Sequence, residues 1–161
     1  ENAEELENRL SNLAAEPLLK VIDSFGENHV KYIPQNEDLV TFASKLEKKD
    51  GVINWEWNKK NVHDLVRGLI PWPCAYSYLY KARSSETRRI IIKRTSVDSE
   101  CSIKENNPPG TINKISEKGL LVATKDGHIW VTVLQPEGKR AMDAKSFVNG
   151  YGIEVSDYFK S

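Results

Sequence analysis

The dipeptide Asp126-Gly127 constrains this chain most, because it sits between two runs of β-forming residues. A two-residue connection of this kind needs residues that tolerate positive φ, so the pair predicts a tight hairpin and antiparallel pairing on both sides. Around it, Pro108 to Gly150 reads as a small β-meander ending in a helical turn. Pro108 and Pro109 cannot start a helix and deliver the chain extended to Gly110. Thr111 to Ile115 alternates β-formers with polar residues, and Ser116-Glu117-Lys118-Gly119 turns it into Leu120 to Thr124. The returning strand, His128 to Leu134, places Ile129, Val131 and Val133 on one face and His128, Trp130 and Thr132 on the other. Asp143 is expected to cap a short helix through Phe147, with Gly150 as its stop.

The chain before this meander is of a different kind. Glu1 to Phe25 carries Leu6, Leu10 and Leu13 at helical spacing, with acidic residues in the first turn. Pro17 is expected to split it into two helices, opening a second one that carries Leu18, Val21, Ile22 and Phe25. The pattern is that of an amphipathic helix packed on a neighbour. Gly26 to Trp57 has no sustained period and reads as a linker with short ordered pieces. Asn58 to Ile70 is a second amphipathic helix, with Val62, Leu65, Val66, Leu69 and Ile70 as its buried stripe and Pro71-Trp72-Pro73 as its end. Ala75 to Lys81 and Thr87 to Val97 read as further strands, Ser99 to Asn107 as a polar loop, and Tyr151 to Ser161 as a tail that docks back or frays. The fold class is therefore α+β, mainly β. Residues 1–57 form a helical and extended linker, and residues 58–161 a domain led by a helix.

Composition narrows the function. Of the 161 residues, 23 are basic and 23 acidic, but the two halves differ. Through Trp72 there are 13 acidic against 9 basic residues, and from Pro73 onward 10 acidic against 14 basic. That asymmetry predicts a polyanion-facing second half. Cys74 and Cys101 are too few for a disulfide scaffold and lack metal-ligand spacing, so they read as reduced thiols of a cytoplasmic protein. No apolar run approaches the ~20 residues of a membrane helix, and no signal peptide is present. His29, His63 and His128 stand in unrelated contexts. Asn61 and His63 lie within the helix, where residues two apart point about 200° from each other and cannot converge on one substrate atom. Catalytic, cofactor-binding and metal-binding residues are all expected to be absent from this chain.

Binding remains. Thr87 to Arg94 is the most basic stretch, and in a strand Arg89 and Lys93 share one face, Arg88 and Arg94 the other. Candidate phosphate contacts are Lys81, Arg83, Arg88, Arg89, Lys93, Arg94, Lys114, Lys118, Lys139 and Arg140, with Lys45, Lys48 and Arg67 upstream. Arginine is the better bidentate partner for phosphate. Trp130 and the tyrosines read as core or barrel-wall residues rather than stacking platforms.

The same residues carry a resemblance. Pro-Pro-Gly-Thr-Ile from Pro108, Gly119-Leu120 to Thr124, Asp126-Gly127, Leu134-Gln135-Pro136, Gly138-Lys139 with Met142, and Phe147 to Gly150 look like the C-terminal domain of methionyl-tRNA formyltransferase. Upstream, Val40 to Leu46, Ile53-Asn54-Trp55, and Arg67-Gly68 running into Pro71-Trp72-Pro73 are similar to that family's linker and domain junction. Nearly the whole chain is covered, in order. Cys74 departs from the pattern, standing where the family usually has glycine. The resemblance implies a five-stranded, partly open barrel of the oligonucleotide-binding (OB-like) type. It also implies a role in gripping initiator methionyl-tRNA, as a monomer, beside an N-terminal catalytic domain that would precede Glu1. That domain would use 10-formyltetrahydrofolate as co-substrate. Two alternatives stand beside this reading. One is the same barrel in a related formyltransferase or formyltetrahydrofolate hydrolase. The other is a protein-interaction brace for the catalytic domain without RNA binding.

Overall fold

A computed structural model of the chain describes residues 1–26, 30, 32–97 and 107–161. The expected polar loop from Ser99 to Asn107, with Cys101, lies almost wholly outside the described residues, as does His29. The chain divides into two compact units, Glu1–Leu46 and Glu47–Ser161. Residues 47–57, read from sequence as linker, thus group with the second unit. The reason is burial, since Ile53 and Trp55 belong to its core.

In the first unit, helix α1 (Ala3–Gly26) is continuous and carries Pro17 inside it, so the expected split into two helices does not occur. A proline removes one backbone donor, and the intact turns on either side carry the helix past it. None of its residues is buried. Leu10, Leu13, Val21, Ile22 and Phe25 are all exposed. A short 3-10 turn at Glu37–Leu39 is the other ordered piece, capped by the Asn36 side chain.

The second unit opens with a 3-10 turn at Lys48–Gly51, closed by a reciprocal cap between Glu47 and Asp50. Helix α2 (Lys59–Gly68) is capped by Asn58, whose side-chain oxygen accepts from the Asn61 amide at 2.8 Å. Strands β1 (Ala75–Tyr80), β2 (Thr87–Ser96), β3 (Ile112–Ser116), β4 (Gly119–Thr124), β5 (Gly127–Pro136), β6 (Met142–Asp143) and β7 (Tyr158–Lys160) form one antiparallel sheet. Its order is β3-β4-β5-β2-β1-β7, with β6 also on β5. Sequence reading reached five of these strands. The two it missed are only two and three residues long and have no periodicity to detect.

Beyond β1, β7 also bonds the segment before β3. Phe159 N donates to Gly110 O at 2.8 Å and Ile112 N to Asp157 O at 3.0 Å. The tail thus docks, and Phe159 is buried. Asp157 holds the approach to β7, accepting from the amides of Ala82 at 3.0 Å and Glu154 at 2.9 Å.

Three local expectations change. The β4–β5 pairing joins Thr124 to Gly127, so the connecting residues are Lys125 and Asp126, and Gly127 opens β5 at φ 144°. Along β5, Ile129 and Val131 share a face as expected and it is the core face, but Leu134 rather than Val133 follows them there. Register shifts between Ile92 and Thr95 on the paired β2 break the alternation. Finally, α3 (Ala144–Tyr151) begins at the expected cap, Asp143, but runs past Gly150 to a left-handed stop at Gly152, φ 57°.

The core gathers Ile53, Trp55, Val62, Val66, Leu79, Ile90, Ile92, Leu120, Ile129, Phe147 and Phe159, drawn from both helices and most strands. Cys74 has φ 66°, the conformation a glycine would adopt without cost, at the one position where the resemblance expects glycine.

Candidate nucleic-acid interface

The alternation of side chains along β1 sets the geometry, although Tyr76 is itself buried. Ala75, Ser77 and Leu79 are buried on the core side. Tyr76, Tyr78 and Tyr80 therefore project from the opposite side. On β2 the same rule sends Ile90 and Ile92 inward. Arg89 lies with the tyrosines, its guanidinium 3.9 Å from the centre of the Tyr76 ring. Arg88 points the other way, over the Tyr151 ring of α3 at 5.0 Å. The expected opposition of Arg88 and Arg89 holds. For Arg94 the alternation is broken by the register shifts, and its side chain is exposed.

The candidate basic residues fall into separate groups. Lys81 and Arg88 meet at a cleft of about 260 Å³ that Leu79, Glu86, Phe147 and Tyr151 also line. Lys81 Nζ donates to Tyr151 O at 2.8 Å, and Arg88 pairs with Glu86. That carboxylate holds the Arg88 guanidinium above the ordinary arginine range. Arg83 pairs with Glu154 at 3.3 Å. Arg89 reaches Glu137 at 3.4 Å, at the start of the turn that carries the exposed Lys139 and Arg140. Lys93 Nζ lies 3.2 Å from the Cys74 sulfur. Lys118 stands 5.5 Å from the centre of the Trp130 ring, and Lys114 is exposed on β3. Arg67, in the last turn of α2, donates to Asp64 at 2.9 Å. Lys48 is exposed on its 3-10 turn, and Lys45 is exposed in the first unit. The thirteen candidates therefore do not form one patch.

An ion pair decides which cations are ready for phosphate. Arg67, Arg83, Arg88 and Arg89 already face carboxylates. These exposed pairs are individually weak, about 0–1 kcal/mol, and can exchange a carboxylate for a phosphate. Lys93 is held by a sulfur instead. The sequence reading missed Lys160, which lies over the rings of Tyr80 and Tyr158 at 4.6 and 5.2 Å. The usable signal was the alternation Tyr158-Phe159-Lys160, with an apolar residue between two amphipathic ones.

His63 belongs to the framework rather than to a reaction centre. It faces Thr95 Oγ1 from α2 at 2.8 Å, across the core side of β2. Burial, then the nearby Arg67 charge, lowers its pKa below the ordinary 6.5. Because the folded form resists protonation, the unfolded chain binds more protons once the pH falls below that value. Stability is complete above about pH 6.5 and declines as the pH drops from there through the lowered folded value. Urea midpoints measured from pH 7.5 to 5 should show this decline, and His63→Gln should flatten it; an identical slope in the variant would assign the effect elsewhere. Among the described residues, no group of three or more His, Cys, Asp or Glu side chains converges as a metal site. No helix among them is long and apolar enough to cross a membrane.

Comparison with known proteins follows the same lines. The family described as "Formyl transferase, C-terminal domain" matches residues 45–152. The methionyl-tRNA formyltransferase of Thermodesulfovibrio yellowstonii is 37% identical over 153 residues, covering 95% of this chain and 46% of that protein. The Symbiobacterium thermophilum protein of the same name is 35% identical, covering 96% of this chain and 45% of its own length. That of Chlamydia abortus is 34% identical, covering 92% and 46%. The chain thus spans just under half the length of these relatives. Among solved structures, HypX from Aquifex aeolicus superposes with a TM-score of 0.61 at 18% identity, over 88% of this chain and 24% of HypX. A HypX structure in complex with tetrahydrofolic acid gives a TM-score of 0.58, also at 18% identity, over 92% and 26%. At that identity the likeness is one of fold.

Proposed function

Since this chain belongs to the formyl transferase C-terminal domain family, we propose that it is the tRNA-gripping module of a methionyl-tRNA formyltransferase. The observation that carries this reading is the match to proteins of that name along 92–96% of the chain. In the whole enzyme, acting as a cytoplasmic monomer, a formyl group would pass from 10-formyltetrahydrofolate to the amino group of methionine on initiator tRNA. Catalytic residues and the formyl donor would belong to the N-terminal catalytic domain, and this chain alone would transfer nothing.

The module's contribution is positional. Holding the tRNA body fixes the methionyl end near the reacting groups and removes part of the entropic cost of bringing them together. Folded tRNA presents mainly phosphates and 2′-hydroxyls, so charge and shape do most of this work. The OB-like barrel reading draws support from β7, which bonds β1 on one side and Gly110 to Ile112 on the other.

Binding of initiator tRNA across a salt series tests the proposal. Each phosphate contact should contribute roughly −0.7 to −0.9 to the log-log slope. Changing Arg94, Lys139 and Arg140 together to alanine should reduce the slope by about two units or more. An unchanged slope would remove these residues from the interface, and no binding at low salt would leave the brace reading in its place.

A further inference from the structure

The outer side of β1 and β7 carries a group of residues that charge alone does not explain. Their antiparallel register sets Tyr80 opposite Tyr158 and Tyr78 opposite Lys160. The rings of Tyr80 and Tyr158 lie 4.9 Å apart at 42°. Tyr78 is 38% exposed, a high value for a tyrosine in the middle of a strand between two paired neighbours. Lys160 spans both the Tyr80 and Tyr158 rings, and no carboxylate pairs with it among the described residues. On the neighbouring strand, Arg89 pairs in register with Tyr78. Both α2 and α3 contribute to the core on the opposite side of β1, so neither covers these rings. A groove of about 370 Å³ borders the patch, with Trp55, Pro108, Pro109, Tyr158 and Lys160 in its lining and the carboxylate of Glu56 beside them.

We propose that this face binds unpaired nucleotides of an RNA, with bases stacked on Tyr78, Tyr80 and Tyr158 and the linking phosphates on Lys160 and Arg89. The inference deepens the tRNA-binding reading, on which it rests, by naming the part of an RNA that this face takes. Aromatic rings alternating with cations suit a single strand, because a base offers a π-face for the ring and a phosphate for the charge. A duplex hides its base faces within the stack and would meet only the cations. The ammonium of Lys160 lies over the rings through cation–π attraction, which is modest at an exposed site. A base can replace it there while the ammonium turns to the phosphate. A sugar ligand would use the rings but not the cations, and an acidic peptide would use the cations but offer few flat faces.

The test compares a labelled short oligouridylate with a blunt RNA hairpin, measured by fluorescence anisotropy at one fixed salt concentration. Tyr80→Leu and Tyr158→Leu keep apolar bulk on the strand and remove the π-face. Each should weaken oligouridylate binding about fivefold or more and leave the hairpin largely unchanged. Tyr80→Phe should bind as the parent does, which separates stacking from loss of fold, and urea midpoints confirm that each variant is folded. Equal binding of strand and hairpin, or leucine variants that bind like the parent, would overturn the platform. If initiator tRNA still binds steeply with salt in that case, the tRNA-gripping reading survives without it. If the single strand is preferred but initiator tRNA binds no better than other RNA, the platform stands and the tRNA reading falls.

Discussion

Phe159→Ala is expected to lower the unfolding free energy of the second unit by about 3–5 kcal/mol, the range for removing a fully buried phenyl group. Phe159 is 2% exposed and stacks on Trp55 with ring centroids 5.4 Å apart. Its effect should exceed the loss of apolar area, because the ring is the only residue of β7 that reaches the core. Trp55 is anchored in turn by Ser77, which accepts from Trp55 Nε1 at 3.0 Å and donates to Lys160 O at 2.6 Å. Losing the phenyl group leaves a cavity beside that buried polar pair. Equilibrium urea unfolding gives the measurement. A loss below about 1 kcal/mol would mean that β7 is held by its backbone bonds alone.

Gly110→Ala should cost on the order of 3 kcal/mol, from positive-φ strain and overpacking acting together. Gly110 has φ 91°, and a Cβ there would run into the carbonyl oxygen of Phe159. The obstacle is backbone that accepts and donates in the same place: Phe159 N bonds Gly110 O at 2.8 Å and Gly110 N bonds Ala123 O at 2.9 Å. No rotamer change can relieve it, so β7 or the turn must move. Gly150→Ala is the matching control. That glycine is inside α3 with nothing within 4 Å of a Cβ, so the change should be neutral or stabilising by about 0.5–1 kcal/mol. The thermal midpoint of Gly110→Ala should fall, while that of Gly150→Ala holds or rises. A Gly110→Ala protein as stable as the parent would show that the approach of β7 can widen.

The strands that could be read from sequence were those with enough length to show a period. β1 to β5 each have five or more residues, and their alternation or apolar runs gave their positions and, for β1, β2 and β5, which residues share a face. The register shifts in β2 were invisible, because no residue type marks them, and with them went the expected face of Val133. Pro17 misled because a proline's preference for a helix's first turn is statistical, and one missing amide bond does not end a helix. The candidate cations were legible as residues, but their availability was not. Folding alone brings Arg83 to Glu154 and Arg89 to Glu137, partners 71 and 48 residues away. The spacing of Tyr76, Tyr78 and Tyr80 puts them on one face of a strand, yet which face meets solvent depends on where α2 and α3 pack.

Ser77 and Lys160 are hydrogen-bonded across 83 residues of chain. While the chain is being synthesised, the slot between β1 and Gly110 stays empty until residues 158–160 leave the ribosome. Ile53 already bonds β1 at Tyr76, but until then its Tyr78–Tyr80 edge is unpaired, the kind of surface that recruits a second strand from another molecule. Closing so long a loop comes late in folding. The edge of β1 is therefore closed only once residues 158–160 have been made and have joined it.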